Sequence, residues 1–232
     1  MISVVLVSVA VIPALYLILQ VRKYDRLEKE PVGLIVSIVI LGMLSTFIAM
    51  FLELVLEFLL AYFVSYYSPL YNILLYFIVV ALSEEWVKYL MLKLRTWKSR
   101  AFNCSFDGIV YAVSVSLGFA LFENIMYVTN YGLSTGLIRA VTAIPGHACF
   151  GVYMGFYYGL AKYFDIHNDK INSKKYLQYS IWIPVLLHGL YDYIASAPGY
   201  ISLIVFVIFI AIMFKSSLNM VKRLSNNDRY ID

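Results

Sequence analysis

Long apolar runs dominate the chain, and short polar stretches separate them. A helix needs roughly 20 mostly apolar residues to cross a bilayer, and seven runs approach or exceed that length. They cover approximately residues 2–20, 32–61, 70–92, 106–129, 135–162, 177–196 and 200–221. The stretches between them contain turn-forming sequences such as YYSP, TNYG and HNDKINSK. The pattern predicts an all-α fold, a polytopic transmembrane helical bundle of about seven spans.

Composition supports the same class of protein. Of the 232 residues, 62% are hydrophobic and 14% are charged, whereas soluble domains contain about 25% charged residues. The length suits one helical bundle and leaves no room for a separate soluble domain. We therefore expect residues 1–232 to form a single membrane-embedded domain. The first run lacks the basic region of a cleavable signal peptide and is expected to remain as a span.

The basic residues predict how the bundle is oriented. Sixteen of the 18 lysines and arginines lie in four polar regions, which follow the first, third, fifth and seventh runs. The positive-inside rule makes these regions cytoplasmic, with the N-terminus outside and the C-terminus inside. Orientation thus explains the net charge of +4, and no nucleic-acid partner is expected. The two cysteines form no C-x-x-C motif, and we expect no disulfide framework.

A small polar set lies inside the predicted spans. A charged group at the bilayer centre costs roughly 2.5 to 3.5 kcal/mol and usually faces a cavity or a partner. The set comprises Glu84, Glu85, Lys88, Asp107, Glu123, Asn124, Arg139, His147, His188 and Asp192. The helical rise of about 1.5 Å per residue places Glu84, His147 and His188 at similar depths on three spans. These groups are therefore expected to converge on one site.

Sequence spacing predicts specific pairs within this set. Glu84 and Lys88 lie four residues apart, so they share a helix face and can form an ion pair. Glu85 is rotated by about 100° and is expected to serve a different purpose. His188 and Asp192 repeat the four-residue spacing, which places the carboxylate beside the imidazole.

Other polar positions have simpler interpretations. Asp107 and Arg139 lie near span ends, where an interfacial or structural role is favoured. Glu53 and Glu57 lie towards the end of the second run and are interpreted as interfacial. The Pro145-Gly146 pair permits a local break in the fifth span just before His147. The Glu84–Lys88 pair has a structural interpretation too, as a mutually neutralised ion pair.

The buried acids and imidazoles suit two kinds of hydrolytic chemistry. A carboxylate beside imidazoles can deprotonate water and protonate a leaving amine, as amide hydrolysis requires. Alternatively, His147 and His188 with Glu84 or Glu123 could hold a divalent metal such as zinc. The sequence has no H-E-x-x-H motif, and no serine stands out beside a His–Asp pair. Two alternatives remain: an ion- or proton-coupled transporter that uses the same carboxylates, and a membrane-embedded binding or immunity protein.

Four stretches of the chain resemble the PrsW family of intramembrane proteases, within the wider group of CAAX-processing and bacteriocin-processing (Abi) proteases. They are SEEWVK at 83–88, FDGIVYAVSVSLGFALFENIMY at 106–127, the segment from Arg139 to His147, and LLHGLYD at 186–192. The EP of KEPVG at 30–31 also looks like this family. The similarity covers roughly the first six spans.

This resemblance implies a function and a set of site residues. The function is site-1 cleavage of a single-pass, membrane-bound anti-sigma factor in the bacterial plasma membrane, during envelope-stress or antimicrobial-peptide responses. The implied catalytic residues are Glu84, Glu85, Glu123, His147 and His188. Lys88, Asn124 and Asp192 are implied to support them. The leading hypothesis has Glu84 as the base that activates water, with the two histidines assisting.

The chain departs from its CAAX-processing relatives at three motifs. It has E-E-x-x-K where they have E-E-x-x-x-R, and Phe119-x-x-x-Glu123 where they have F-x-x-x-H. It also has His188-x-x-x-Asp192 where they have H-x-x-x-N. A neutral asparagine stabilises an oxyanion, whereas an ionised aspartate repels one. We therefore expect Asp192 to orient His188 instead of binding the oxyanion.

Overall fold

The computed structural model describes residues 4–231. These residues form nine α-helices and one π-helical segment, and no strand occurs among them. The helices are α1 (Val4–Tyr24), α2 (Val32–Phe63), α3 (Pro69–Leu74), α4 (Ser83–Thr96), α5 (Asp107–Tyr131), α6 (Leu133–Val141), α7 (Ala143–Ile166), α8 (Lys170–Ser196) and α9 (Tyr200–Asn226), with the π-helical segment (Leu75–Leu82) between α3 and α4. The all-α class is confirmed. The first two residues of the predicted run 2–20 lie outside the described residues, as do residues 1 and 232 of the expected domain.

Seven helical stretches correspond to the seven predicted runs. Six of them are long and apolar enough to cross a membrane: Val7–Tyr24, Val32–Phe63, Pro69–Thr96, Asp107–Tyr131, Leu133–Ile166 and Tyr200–Asn226. The remaining stretch, the sixth along the chain, is α8, which has 27 residues. It is more polar than the others, because it begins with the sequence KINSKK and carries His188 and Asp192. The buried part of the bundle centres on α5, which packs against α1, α2 and α7.

Two of the stretches are irregular where they approach the polar set. In the third, the π-helical segment ends at Leu82, immediately before the first turn of α4 that carries Glu84 and Glu85. In the fifth, the helix breaks at Thr142 between α6 and α7. Pro145-Gly146, where the sequence permits a break, lies within α7. Pro145 lies in the first turn of α7, where the N–H that proline lacks has no intrahelical partner to lose.

Close helix packing fixes the position of α5 against α2. A Cβ atom added at Gly42 would lie 2.2 Å from the carbonyl oxygen of Val115, and one added at Gly118 would lie 2.3 Å from that of Val39. Small residues let the backbones of membrane helices approach this closely. The contact places the next turn of α5, which begins at Phe119, beside α2.

A polar cluster formed by Asp25, Glu30, Asp107 and Tyr111, called the second cluster below, lies at the end of the bundle that carries the lysine- and arginine-rich connections. Tyr111 donates a hydrogen bond from its hydroxyl to Glu30, and the backbone N–H of Glu30 donates to Asp25 Oδ2 at 3.1 Å. Burial raises the pKa of Glu30 to about 7. Asp107 Oδ2 accepts two backbone N–H groups of the preceding loop, in keeping with the structural role expected for it. Both cysteines are buried free thiols.

Candidate active site

A cavity of about 400 Å³ lies in the half of the bundle opposite to that second cluster. Its walls come from α2, the π-helical segment, the start of α4, and helices α5 to α8. Six residues of the sequence-derived polar set line it: Glu84, Glu123, Arg139, His147, His188 and Asp192. Three more, Glu85, Lys88 and Asn124, are fully buried behind its wall. The predicted convergence on one site is therefore present in the structure.

The ammonium group of Lys88 lies at the centre of this cluster. It donates to Glu84 Oε2 at 2.9 Å and to Glu85 Oε1 at 2.8 Å, and it lies 3.1 Å from His147 Nδ1. The ring of Phe119 covers it, with its centroid 4.1 Å from Nζ. These partners satisfy a cation that has no exposure to solvent. The predicted Glu84–Lys88 pair is present, but the separate direction expected for Glu85 is wrong, because residues three and four positions before a lysine both reach its ammonium group.

The two adjacent glutamates differ in their access to the cavity. Glu84 lines the cavity, and within residues 4–231 its Oε1 atom has neither a hydrogen-bond nor an ion-pair partner. Glu85 is completely buried, and its Oε2 atom is enclosed without a hydrogen-bond partner. Only Glu84 of this pair can therefore contact a molecule in the cavity.

Glu123 links His147 to Arg139 on the other side of the cluster. Glu123 Oε2 lies 3.0 Å from His147 Nε2 and 2.8 Å from an Arg139 guanidinium nitrogen. Because the Lys88 ammonium faces His147 Nδ1, the neutral imidazole carries its proton on Nε2 and donates it to Glu123. Arg139 Nε donates to Asn124 Oδ1 at 3.2 Å. Arg139 thus belongs to the cavity wall, and its interpretation as an interfacial residue is wrong.

His188 is held between two carboxylates. Its Nδ1 atom lies 2.9 Å from Glu85 Oε1, and its Nε2 atom lies 3.3 Å from Asp192 Oδ2. The ring of Phe150 stacks on the imidazole at a centroid distance of 4.7 Å. The predicted His188–Asp192 contact is present, and together these neighbours fix the plane of the ring.

Sequence reasoning missed two further residues of the cavity. Glu53, interpreted as interfacial, lines the cavity, whereas Glu57 is exposed elsewhere on α2. Tyr127 lies under the Arg139 guanidinium, 3.8 Å from the ring centroid to Cζ. The sequence contained one indication for each of these two residues. Glu53 is ten residues from the end of α2, and Tyr127 closes the FENIMY stretch that contains Glu123.

Comparison with known proteins agrees with this site. A family model described as PrsW family intramembrane metalloprotease matches residues 30–215 of the chain. The chain belongs to the PrsW family. The matched region contains every residue of the cavity described above.

Relatives from several bacteria share this similarity over most of their length. Protease PrsW of Clostridioides difficile is 31% identical over 226 residues, which are 96% of this chain and 92% of that protein. Protease PrsW of Bacillus subtilis is 34% identical over 192 residues, 83% of each chain. Protease PrsW of Halalkalibacterium halodurans is 39% identical over 153 residues, 66% of this chain and 69% of that one. No solved structure matches the chain.

Membership of the PrsW family settles the class of protein. The chain is an intramembrane peptidase and a multi-pass protein of the bacterial plasma membrane. The transporter and binding-protein alternatives have no support from the comparisons.

The description of the family model as a metalloprotease implies a metal ion. One group of side chains has suitable donor atoms. Single donor atoms of Glu84, Glu85 and His147 lie within 4.8 Å of one another, and two carboxylates with one imidazole form a set that zinc accepts. His188, expected as a ligand, is not part of this group. The Lys88 ammonium, however, binds one atom of each of the three donors. In this structure the three donors bind the Lys88 ammonium group. A metal ion could bind between them only if Lys88 moved away.

Proposed function

We propose that this peptidase performs site-1 cleavage of a single-pass, membrane-bound anti-sigma factor. A second intramembrane protease would then release the sigma factor during an envelope-stress or antimicrobial-peptide response. The motif resemblance supports the substrate class. The position of the cavity agrees with it, because the orientation predicted from the basic residues puts the cavity in the extracytoplasmic half of the bilayer.

The observation that carries the proposed chemistry is the asymmetric environment of Glu84. Its Oε2 atom is fixed by Lys88, while its Oε1 atom faces the cavity without a partner among the described residues. A carboxylate held in this way can accept a proton from a water molecule that is bound between it and a peptide carbonyl group. Glu85 lacks access to the cavity and acts as a positioning residue, because it holds both Lys88 and His188.

The proposed reaction uses the same carboxylate twice. The water oxygen bonds to the carbonyl carbon while its proton passes to Glu84. When the C–N bond breaks, Glu84 returns this proton to the leaving nitrogen, so the carboxylate is regenerated. Charge that develops on the carbonyl oxygen is stabilised by an N–H donor at the cavity wall, for which His188 Nε2 is the proposed group. His147 assists indirectly, because its two ring nitrogens already contact Lys88 and Glu123. Asp192 orients His188, and Asn124 and Glu123 hold Arg139.

Replacing Glu84 by glutamine tests this assignment. Glutamine keeps the shape of the side chain and an oxygen that accepts from Lys88, but it cannot take a proton from water. Purified Glu84→Gln protein should cleave a single-pass anti-sigma substrate about 10²- to 10⁴-fold more slowly than wild type and should still fold, because Lys88 keeps Glu85 as its charged partner. Glu57→Gln is the matched control, since Glu57 is exposed on α2 and does not line the cavity. Full activity of Glu84→Gln would exclude Glu84 as the base.

Treatment with a chelator separates the two hydrolytic mechanisms. With Lys88 at the centre of the donor group, cleavage should continue at an unchanged rate after dialysis against a chelator. Loss of cleavage that is restored by added zinc would show that a metal ion takes part and that Lys88 moves away during the reaction.

A further inference from the structure

Glu53 is a charged residue of the cavity to which the proposed chemistry assigns no role. It lies ten residues before the end of α2, which is about 15 Å along the helix. An isolated carboxylate inside a membrane span costs roughly 2.5 to 3.5 kcal/mol unless it has a partner or contacts water. Within residues 4–231, Glu53 makes neither a hydrogen bond nor an ion pair, although it lines the cavity and is half-buried. A molecule that enters the cavity can therefore contact its carboxyl group.

The charges around the cavity leave Glu53 without compensation. The Lys88 ammonium is shared by Glu84 and Glu85, and the Arg139 guanidinium is paired with Glu123. The remaining carboxylate of the wall, Asp192, lies beside His188. Every cationic side chain of the cluster is thus already paired with a carboxylate other than Glu53, and Glu53 has no cationic partner among residues 4–231.

From this placement we propose that Glu53 binds a basic side chain of the substrate, a lysine or an arginine close to the scissile bond. The proposal rests on the proposed proteolytic use of the cavity and adds a determinant of specificity to it. A cavity of about 400 Å³ is roughly 9 Å across if it is compact, which is the length of about three extended residues. Because Glu53 and Glu84 line the same cavity, the basic residue lies within about three positions of the bond that is cleaved.

Binding and cleavage of charge-variant substrates test the proposal separately. The substrates are single-pass peptides that carry lysine, glutamine or glutamate at each of the three positions on either side of one candidate bond. Binding is measured in detergent on Glu84→Gln protein, where cleavage is blocked, and cleavage is measured on protein with Glu84 intact. A chelator is present in the binding measurements, so that a divalent cation cannot substitute for the lysine, and cleavage is measured without chelator.

The matched variants are Glu53→Gln and Glu57→Gln, each made in both backgrounds. At one position, lysine should bind and be cleaved about tenfold better than glutamine, the lower end of the effect of a close charge pair. Glu53→Gln should remove this preference, and Glu57→Gln should preserve it. Glu53→Lys should reverse it, so that the glutamate peptide becomes the better substrate.

The two readouts distinguish failure of this inference from failure of the proposed function. Cleavage without a preference for a basic residue, or a preference that persists in Glu53→Gln, overturns the role of Glu53 and leaves the peptidase mechanism intact. Binding that depends on charge and on Glu53, but without cleavage of any peptide, supports the role of Glu53 and contradicts the proposed substrate chemistry. Absence of both charge-dependent binding and cleavage contradicts both.

Discussion

Replacing Lys88 by methionine removes the cation that joins the two halves of the site. Methionine preserves most of the volume of the lysine side chain and has no charge. The three groups that contact the ammonium, on Glu84, Glu85 and His147, then face one another without it. The change therefore tests whether Lys88 is the counter-ion of this cluster or merely fills space beneath it.

The expected loss of stability is large, because two buried carboxylates lose a shared partner. Breaking a buried ion pair by removing one member typically costs about 3 to 5 kcal/mol, and Lys88 and Glu85 have no solvent exposure to reduce that cost. For a chain of this size, about 3 to 5 kcal/mol corresponds to a fall of roughly 6 to 20 °C in unfolding temperature. Cleavage should fall as well, because Glu84 loses the contact that fixes its Oε2 atom.

The assay is unfolding of the purified protein in detergent, followed through tryptophan fluorescence. Lys98→Met is the matched control, since Lys98 is exposed and changes at such positions are usually within about 0.5 kcal/mol of neutral. The double variant Lys88→Met/Glu85→Gln should lose less stability than the sum of its single changes, because the second change removes one of the uncompensated carboxylates. An unfolding temperature of Lys88→Met equal to that of Lys98→Met would refute the reasoning.

The same variant makes a prediction about metal binding. Without the ammonium, Glu84, Glu85 and His147 present three donors to a common centre, a set that zinc and cobalt accept. After removal of metals and reloading with Co²⁺, Lys88→Met should bind about one more equivalent than wild type, with the visible absorption of a low-coordinate cobalt site. Wild-type protein that binds cobalt at this centre, and loses it in Glu85→Gln, would show that Lys88 does not occupy the donor group.

Two further predictions concern the scaffold around the site. Gly42→Ala should destabilise the protein by about 1 to 3 kcal/mol, because its Cβ would lie 2.2 Å from the Val115 carbonyl oxygen. Gly33→Ala should not, because nothing lies within 4 Å of the added Cβ. Equal unfolding temperatures of the two variants would contradict the close α2–α5 contact. Burial raises the pKa of Glu30 from its ordinary 4.5 to about 7. Between pH 4.5 and about 7 the folded state therefore binds more protons than the unfolded state, and the free energy of unfolding should fall as the pH rises through this window. Glu30→Gln should weaken that dependence, and an identical pH profile in the variant would contradict it.

The spans and the membership of the site were predictable from sequence because the membrane makes both signals strong. A bilayer requires long apolar runs, and it makes each buried charge costly enough to stand out. Glu84, His147 and His188 could thus be placed on one site from their depth alone. Two residues of the cavity were misassigned near the expected span limits. Arg139 and Glu53 were assigned to the interface because depth measured along a helix does not say which face of it borders a cavity.

The position of Lys88 shows where such reasoning reaches its limit. Its pairing with Glu84 follows from local spacing, since both residues are on one helix, and the spacing of Glu85 allows the same contact. Its contact with His147 joins residues 59 positions apart and depends on how the bundle brings one side chain each from α4 and α7 together at the cavity. This third contact has a chemical consequence, because it gives the ammonium a contact with each member of the Glu84, Glu85 and His147 donor group. A sequence pattern alone therefore leaves the metal-free and metal-dependent mechanisms open, whereas the structure shows that Lys88 contacts all three members of the donor group found among residues 4–231.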